Sequence, residues 1–417
     1  MDSLAEVPMT PDQTMTQPVG TGRNPQVLSG SVVLDLSRWV VGEYATRFFG
    51  DLGSDVIKVE KPGEGSYTRH WGPFPEDVPD PEASALFLHL NTNKRSAALD
   101  LKDRDDRALL FKLVERADAV VESFRPGRLE ELGLGPTTLQ QCNPRLVVTR
   151  ISPFGQDGPY RDYAATGLTL QAMGGPMHST GDAHRAPLRK PGFLEWYAIG
   201  GVAAEATMAG LFQARRSGAG SIIDLSEHEV LLSGADRRAA HLLAAEYSGS
   251  DAPRGYPSAH RGGASFNGKF PAKDGLVLLY ITTPAFWNRL VRLVSGDDAQ
   301  FREKYLDHWD LGDDQEEFSE YLRKWFGQRC KADIMEIGQN ARIPLTAFLS
   351  VNEVYEHPHF RERGAFVWGD HPRAGRLEYL SGPWRMDRGY ELRMTAPLLG
   401  QHTDEIRAEV EGRSESC

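Results

Sequence analysis

Two short runs of apolar, β-branched residues bracket an amphipathic stretch near the start of the chain: Val32–Arg38, then Trp39–Gly50, then Asp51–Gly63. The apolar spacing changes from every second residue to roughly every 3.6 and back, which predicts a βαβ unit. In such a unit the turn after the first strand faces the ligand crevice of a parallel sheet. The alternation continues. Ser84–Leu90 is an apolar run that ends in the polar segment Asn91–Ser96. Ala97–Leu101 reads as a strand, Asp105–Ala117 as a helix, and Ala119–Glu122 as a strand running into the loop Ser123–Gly127. Arg145–Ile151 is a further strand, followed by the turn-rich Phe154–Tyr160. Tyr197–Arg215 is rich in Ala and Gly and reads as a tightly packed helix, stopped at Ser217–Gly220 before the strand Ser221–Leu225. Strands alternating with helices imply an α/β fold on a parallel sheet. Around 250–265 the composition shifts to Gly, Pro, Ser, Arg and His, the mark of a linker. Gly268–Thr282 then reads as a hairpin turning at Ala272–Gly275, with amphipathic helices at Phe286–Leu293 and Glu316–Phe326.

Composition narrows the classes. At 417 residues the chain exceeds one compact core, so two domains are expected. The polar, Pro/Thr/Gln-rich start reads as a disordered tail over 1–27 and carries no signal-peptide pattern. A net charge of -11 disfavours non-specific nucleic-acid binding. No apolar run approaches the roughly 20 residues that span a bilayer, so no membrane partner is expected. Cys142, Cys330 and Cys417 lack metal spacing, so no metal is expected, and a cytoplasmic location fits best. The first turn carries no G-x-G-x-x-G, so a dinucleotide is not the indicated ligand. The segment Lys58–Gly65 can instead present lysines to an anionic ligand.

Taken together, the segments resemble class III CoA-transferases, the CaiB/BaiF family. The matching stretches are VLDLSRWVVGEYATRFFGDLGSDVIKVEKPGEG, NKRSAALDLK, ADAVVESFRPGRLEELGLG, NPRLVVTRISPFGQDGPYRD, QAMGG, Gly218–Leu225, RIPLTAFLSVNEVYEHPHFRERGAFV and APLLGQHTDEIRAE, in family order from about residue 30 to 410. The resemblance implies a Rossmann-like large domain built from both chain ends (28–225 and 345–417) and a smaller α+β domain with its linker between them (226–344). It also implies an interlocked homodimer, or a heteromer with a sister chain. The substrates would be coenzyme A as acyl-CoA, and a carboxylic acid. On the family pattern Trp39 and Val40 approach the nucleotide or pantetheine arm, and Lys61 the phosphates or adenine. Asn91, Lys94 and Arg95 form a second CoA loop, and Ser123, Phe124 and Arg125 a third. Gly262 and Gly263 resemble the glycine loop that covers the acyl intermediate.

The same resemblance exposes departures. Family transferases use one aspartate at the start of the Ala/Gly-rich helix, which attacks the thioester to give a mixed anhydride and then an enzyme-bound CoA thioester. In this chain the family register places Trp196 there, with Glu195 one residue earlier as the candidate nucleophile or base. Trp196 would block or reshape the acyl pocket. The family's racemases carry a His-Asp pair where this chain has Ala165-Thr166-Gly167, so the two-base proton swap of a racemase is not expected. Glu43 stands where the family usually has Pro and puts an acid beside the CoA turn. The expected activity is CoA transfer between an acyl-CoA and an acid. The alternatives are an acyl-CoA hydrolase, lyase or isomerase that has lost transferase chemistry, and a non-catalytic CoA-binding subunit.

Overall fold

A computed structural model describes residues 26–178, 180–181, 184–233, 246–247, 249, 266–386 and 390–414. The chain divides into two compact units. The described residues of the first fall within Met1–Pro176, Arg189–Ala239 and Gly364–Cys417, and those of the second within Met177–Leu188 and Ala240–Arg363.

The first unit is built on a parallel sheet of β1 (Val32–Leu36), β2 (Asp55–Glu60), β3 (Lys94–Ala98), β4 (Ala119–Glu122), β5 (Val147–Ser152) and β6 (Ile222–Ser226), in the order β3-β2-β1-β4-β5-β6. Its helices are α1 (Val40–Asp51), α2 (Ala85–Leu90), α3 (Arg104–Val114), α4 (Arg128–Glu131), α5 (Pro136–Cys142), α6 (Gly167–Met173), α7 (Leu194–Ser217) and α8 (Glu227–Ser233). Side chains alternate across each strand. Leu34, Leu36, Ile57, Val59 and Ala97 meet Leu109 and Leu113 of α3 and the terminal helix Thr403–Ser414. On the other face Val33 and Val56 meet Val41, Ala45 and Phe49 of α1 and Ile199 and Ala203 of α7. Both faces are covered, as a parallel sheet requires. Helices α1 and α7 approach closely at Gly200, where a Cβ would come 2.7 Å from the Val41 carbonyl oxygen.

The α1 face carries a second set of alternating residues that is charged and fully buried. Lys94 Nζ lies 2.9 Å from Asp35 Oδ2, and Lys58 Nζ lies 3.6 Å from Asp35 and 2.9 Å from Glu43 Oε1. Lys94 also donates to the Glu43 carbonyl, Thr46 Oγ1 and Asn91 Oδ1, each at 2.8 Å. Burial alone would raise the Asp35 carboxyl, but Lys58, Lys94 and the hydroxyls of Ser37 and Thr46 hold it well below the usual carboxylate range. This network places β3 three residues earlier than the hydrophobic pattern predicts: Lys94 looks like loop in sequence and is strand in the fold. It also removes Glu43 and Lys58 from any ligand, since both are sealed against each other.

The second unit holds an antiparallel sheet of β7 (Phe266–Ala272), β8 (Gly275–Ile281) and β9 (Leu345–Ala347). The hairpin closes through Lys273 and Asp274, with Ala272 opposite Gly275. Trp287, Leu290, Phe318, Phe326 and Ile334, from three helices, form its core. Residues Phe366–His371 (β10) and Gly375–Leu380 (β11) form a separate hairpin in the first unit. Among the described residues no helix is long and apolar enough to cross a membrane.

Two predictions follow from this packing. Removing one buried partner strands the other, so Lys94→Met should cost about 3–5 kcal/mol in urea unfolding, and adding Asp35→Asn should recover part of it. His89 is the second case. Arg47 Nη1 donates to its Nδ1 at 2.9 Å, which demands a neutral ring, and burial together with Arg47 pushes the imidazole down to about 3. A lowered folded-state value means that stability is present above the ordinary histidine value of about 6.5 and is lost as pH falls from there towards 3. The loss from this group should reach about 1.4 kcal/mol by pH 5.5. His89→Leu should lose correspondingly less over that window, relative to its own stability at neutral pH.

Candidate active-site cleft

Strand order reverses between β1 and β4. A cleft of about 560 Å³ opens over the carboxyl ends of β1, β2, β3 and β4. This is where open α/β sheets hold ligands. Its polar walls come from the four loops: Ser37, Arg38 and Trp39 after β1; Lys61, Ser66 and Tyr67 after β2; Asp100 and Lys102 after β3; Ser123, Phe124, Arg125 and Arg128 after β4.

The buried network shapes the floor. Lys58 Nζ donates to the Ser37 carbonyl at 3.1 Å, and Ser37 N donates to Asp35 Oδ1 at 3.0 Å. Ser66 Oγ donates to the Arg38 carbonyl at 3.0 Å, and Ser66 N to Glu60 Oε1 at 3.0 Å, so the β1 and β2 loops are tied together. Across the reversal point Arg38 N donates to Ser123 Oγ at 3.1 Å. The β4 loop is held by Glu122, which accepts from Phe124 N at 2.7 Å and from Arg150 Nε at 2.9 Å. Burial pushes the Glu122 carboxyl up to about 7, against the pull of Arg150.

Arg38, Lys61, Lys102, Arg125 and Arg128 make the cleft cationic in a chain of net charge -11. Part of that charge is balanced locally: Lys61 pairs with Glu64, and Arg125 and Arg128 with Glu131. Tyr67 lies under the Arg38 guanidinium, 4.3 Å from ring centre to carbon. Among the described residues no cluster of His, Cys, Asp and Glu could hold a metal ion.

The structure brings Trp39, Lys61, Ser123, Phe124 and Arg125 together in this cleft. It does not bring the other expected residues there. Val40 is fully buried behind Trp39, packed with Leu86 and Leu90. Asn91 and Lys94 are spent inside the charged network. Arg95 pairs with Asp55, Glu405 and Glu409 at the amino end of β3, the opposite end of the strand from the cleft. Gly262 and Gly263 lie outside the described residues. The pattern reading missed Lys102, Arg38 and Arg128. Lys102 follows directly on the predicted strand Ala97–Leu101, so its place at a carboxyl strand end was the signal that could have found it.

Glu195 and Trp196 open α7. The Glu195 carboxylate is buried, neither oxygen accepts a hydrogen bond, and its nearest cation is Lys190 at 3.5 Å. It does not line the cleft. The Trp196 indole meets Trp39 edge-on at 5.3 Å and Phe193 at 5.2 Å. It also fills the space beside Gly167, where a Cβ would come 2.6 Å from Trp196 Cζ2. The two departures at 167 and 196 are therefore one packing arrangement.

The model of CoA-transferase family III matches residues 28–403. Succinyl-CoA:glutarate CoA-transferase of Homo sapiens is 29% identical over 398 residues, 94% of this chain and 88% of that protein. Formyl-CoA:oxalate CoA-transferase of Bradyrhizobium diazoefficiens is 29% identical over 407 residues, 94% of this chain and 95% of that protein. A CAIB/BAIF family protein from Brucella suis superposes with a TM-score of 0.80 at 27% identity, covering 93% of this chain and all of that one.

The shared space of Gly167 and Trp196 is testable. Ala at a helix position gains up to about 1 kcal/mol over Gly, whereas overpacking costs about 1–3 kcal/mol. With the indole held between Trp39 and Phe193, Gly167→Ala should be net destabilising in urea unfolding. Trp196→Ala in the same chain should relieve the loss, giving a favourable coupling in the double-mutant cycle.

Proposed function

The chain belongs to CoA-transferase family III, and on that premise we propose that it moves CoA between an acyl-CoA and a carboxylic acid, binding CoA in the cleft over β1–β4. The observation that carries this is the set of cations from four separate loops at the carboxyl strand ends. The 3′-phosphate and pyrophosphate of CoA need such charge, delivered by charge-assisted hydrogen bonds. Phe124, Trp39 and Tyr67 supply flat apolar surface for the adenine and the pantetheine arm. Lys61, Lys102, Arg125 and Arg128 are the proposed phosphate ligands. Val40, Asn91, Lys94 and Arg95 support the fold in this reading, and Gly262 and Gly263 remain proposed as a cover for the acyl intermediate.

Glu195 is the proposed nucleophile. Its carboxylate oxygen would attack the thioester carbonyl and the C–S bond would break, giving a glutamyl–acyl anhydride and CoA thiolate. The thiolate would then attack the glutamyl carbonyl, release the carboxylate of the acyl donor and leave a glutamyl-CoA thioester, which the acceptor acid reverses step by step. Its place in the first turn of α7, with both oxygens free of competing hydrogen bonds, supports the role. A second reading rests on Trp196 standing at the family's aspartate position: a CoA-binding subunit whose chemistry belongs to a sister chain. The assembly is part of the proposal, either two interlocked copies with large domains built from 28–225 and 345–417 around 226–344, or that heteromer. Its mass in solution distinguishes the two.

Calorimetric titration with CoA tests the cleft. Lys102→Glu should weaken binding by at least about tenfold, as expected for a lost charge-assisted contact, while Arg95→Glu should leave it unchanged. Incubation with acyl-CoA and hydroxylamine should convert Glu195 to its hydroxamate. Full turnover by Glu195→Gln would sink the nucleophile. Free acid or a rearranged product without an acceptor would point to hydrolase, lyase or isomerase chemistry, and CoA binding with no turnover of any thioester would point to the subunit reading.

A further inference from the structure

Beside the cationic part of the cleft stands an aromatic one. Leu99, Leu101, Phe124 and Leu132 belong to the core on the α3 side of the sheet, and Lys102, Arg125 and Arg128 share their loops. Trp39 belongs to the opposite side, packed with Phe193 and Trp196 of the α7 start. The cleft therefore runs across the strand ends from a charged, α3-side half to Trp39, and three rings packed on Trp39 (Trp71, Phe193 and Trp196) extend this aromatic half beyond the cleft lining.

The aromatic half is a cluster with one open edge. Trp39 meets Trp71 at 5.4 Å and 79°, Trp196 at 5.3 Å and 84°, and Phe193 at 6.0 Å and 78°. Trp71 meets Phe193 at 6.1 Å. Trp71 is nevertheless 51% exposed and the neighbouring Tyr67 55% exposed. Large aromatic side chains held in a fixed cluster and left open at a cleft rim mark a surface that a ligand covers. Trp39 meets the other three rings edge-on, and the cluster offers a further ring the same edge-to-face geometry. Arg69, which shares the turn with Trp71, is taken up by Glu60 and Glu82 and lies over the Phe87 ring, so it does not offer its charge to a carboxylate here.

We propose that the cluster Trp39, Trp71, Phe193 and Trp196 is the acyl subsite and selects an aromatic acyl group. The inference rests on the CoA reading above and deepens it. With the phosphates on the α3-side cations, the pantetheine arm leads across β1 to Trp39 and delivers the acyl group against Trp71. This separates the chain from its relatives by substrate class: succinyl, glutarate, formyl and oxalate, in the names of those proteins, are small or doubly charged. Trp196 is then the wall that replaces a carboxylate in that subsite, and Gly167 is the space that admits it.

The test is calorimetric titration of the full chain with CoA, benzoyl-CoA, hexanoyl-CoA and succinyl-CoA. Benzoyl-CoA should bind at least about tenfold tighter than CoA or succinyl-CoA, as one stacked ring contributes. Trp71→Ala should abolish that difference while leaving the affinity for CoA itself unchanged, and Trp71→Phe should retain most of it. Trp71 is half-exposed, so the variants should fold, which circular dichroism checks. Succinyl-CoA binding as tightly as benzoyl-CoA would overturn the subsite and leave the CoA reading intact. An equal gain for hexanoyl-CoA would overturn its aromatic character. Absence of binding by every thioester and by CoA would overturn both readings.

Discussion

Two lysines and two carboxylates sealed between β1, β2, β3 and α1 are the constraint on which the rest of the site depends. Asp35, Glu43, Lys58 and Lys94 have no access to water, and each is saturated by the others or by Ser37, Thr46 and Asn91. A buried ion network adds little net stability over a hydrophobic core of the same shape, but it admits few alternative geometries once formed. Here the geometry it imposes is that of the ligand turn. Lys58 holds the Ser37 carbonyl, Asp35 holds the Ser37 amide, and Ser66 links Arg38 to Glu60. The cleft floor is thus fastened from beneath by groups that never meet a ligand.

This arrangement explains an apparent contradiction in the chain's charge. Several of its basic residues near the strands are consumed by structure: Lys58, Lys94, Arg69 and Arg95 all lie in ion pairs away from the cleft wall. The cations that line the cleft come from loops instead, where the side chain has no strand neighbour to satisfy it. The same division holds for the acids. Glu43 neutralises Lys58 rather than facing the cleft, so its cost to an anionic ligand is small.

The binding half and the reacting half of the molecule diverge. The strand-end loops carry the cations of the cleft, whereas the start of α7 carries a packed indole at Trp196 and a buried glutamate one residue earlier. Adjacent helical positions point about 100° apart, so Glu195 and Trp196 face different surroundings: one is near Lys190, the other is locked between Trp39, Phe193 and Gly167.

Short apolar, β-branched runs bounded by turn residues were enough to read the α/β class, the strands β1, β2, β4, β5 and β6 and the helix α7, because both faces of a parallel sheet are apolar over most of their length. Alternation failed at the start of β3, where Lys94 and Ser96 occupy buried positions and look like loop. The family resemblance pointed to Trp39, Lys61, Ser123, Phe124 and Arg125, and all five line the cleft. What only the tertiary structure decided is which basic residues line the cleft and which are taken up in ion pairs away from it. That depends on carboxylates such as Glu43, Asp35 and Glu409 brought in from distant segments, and a charge carries no mark in sequence of the partner that will neutralise it.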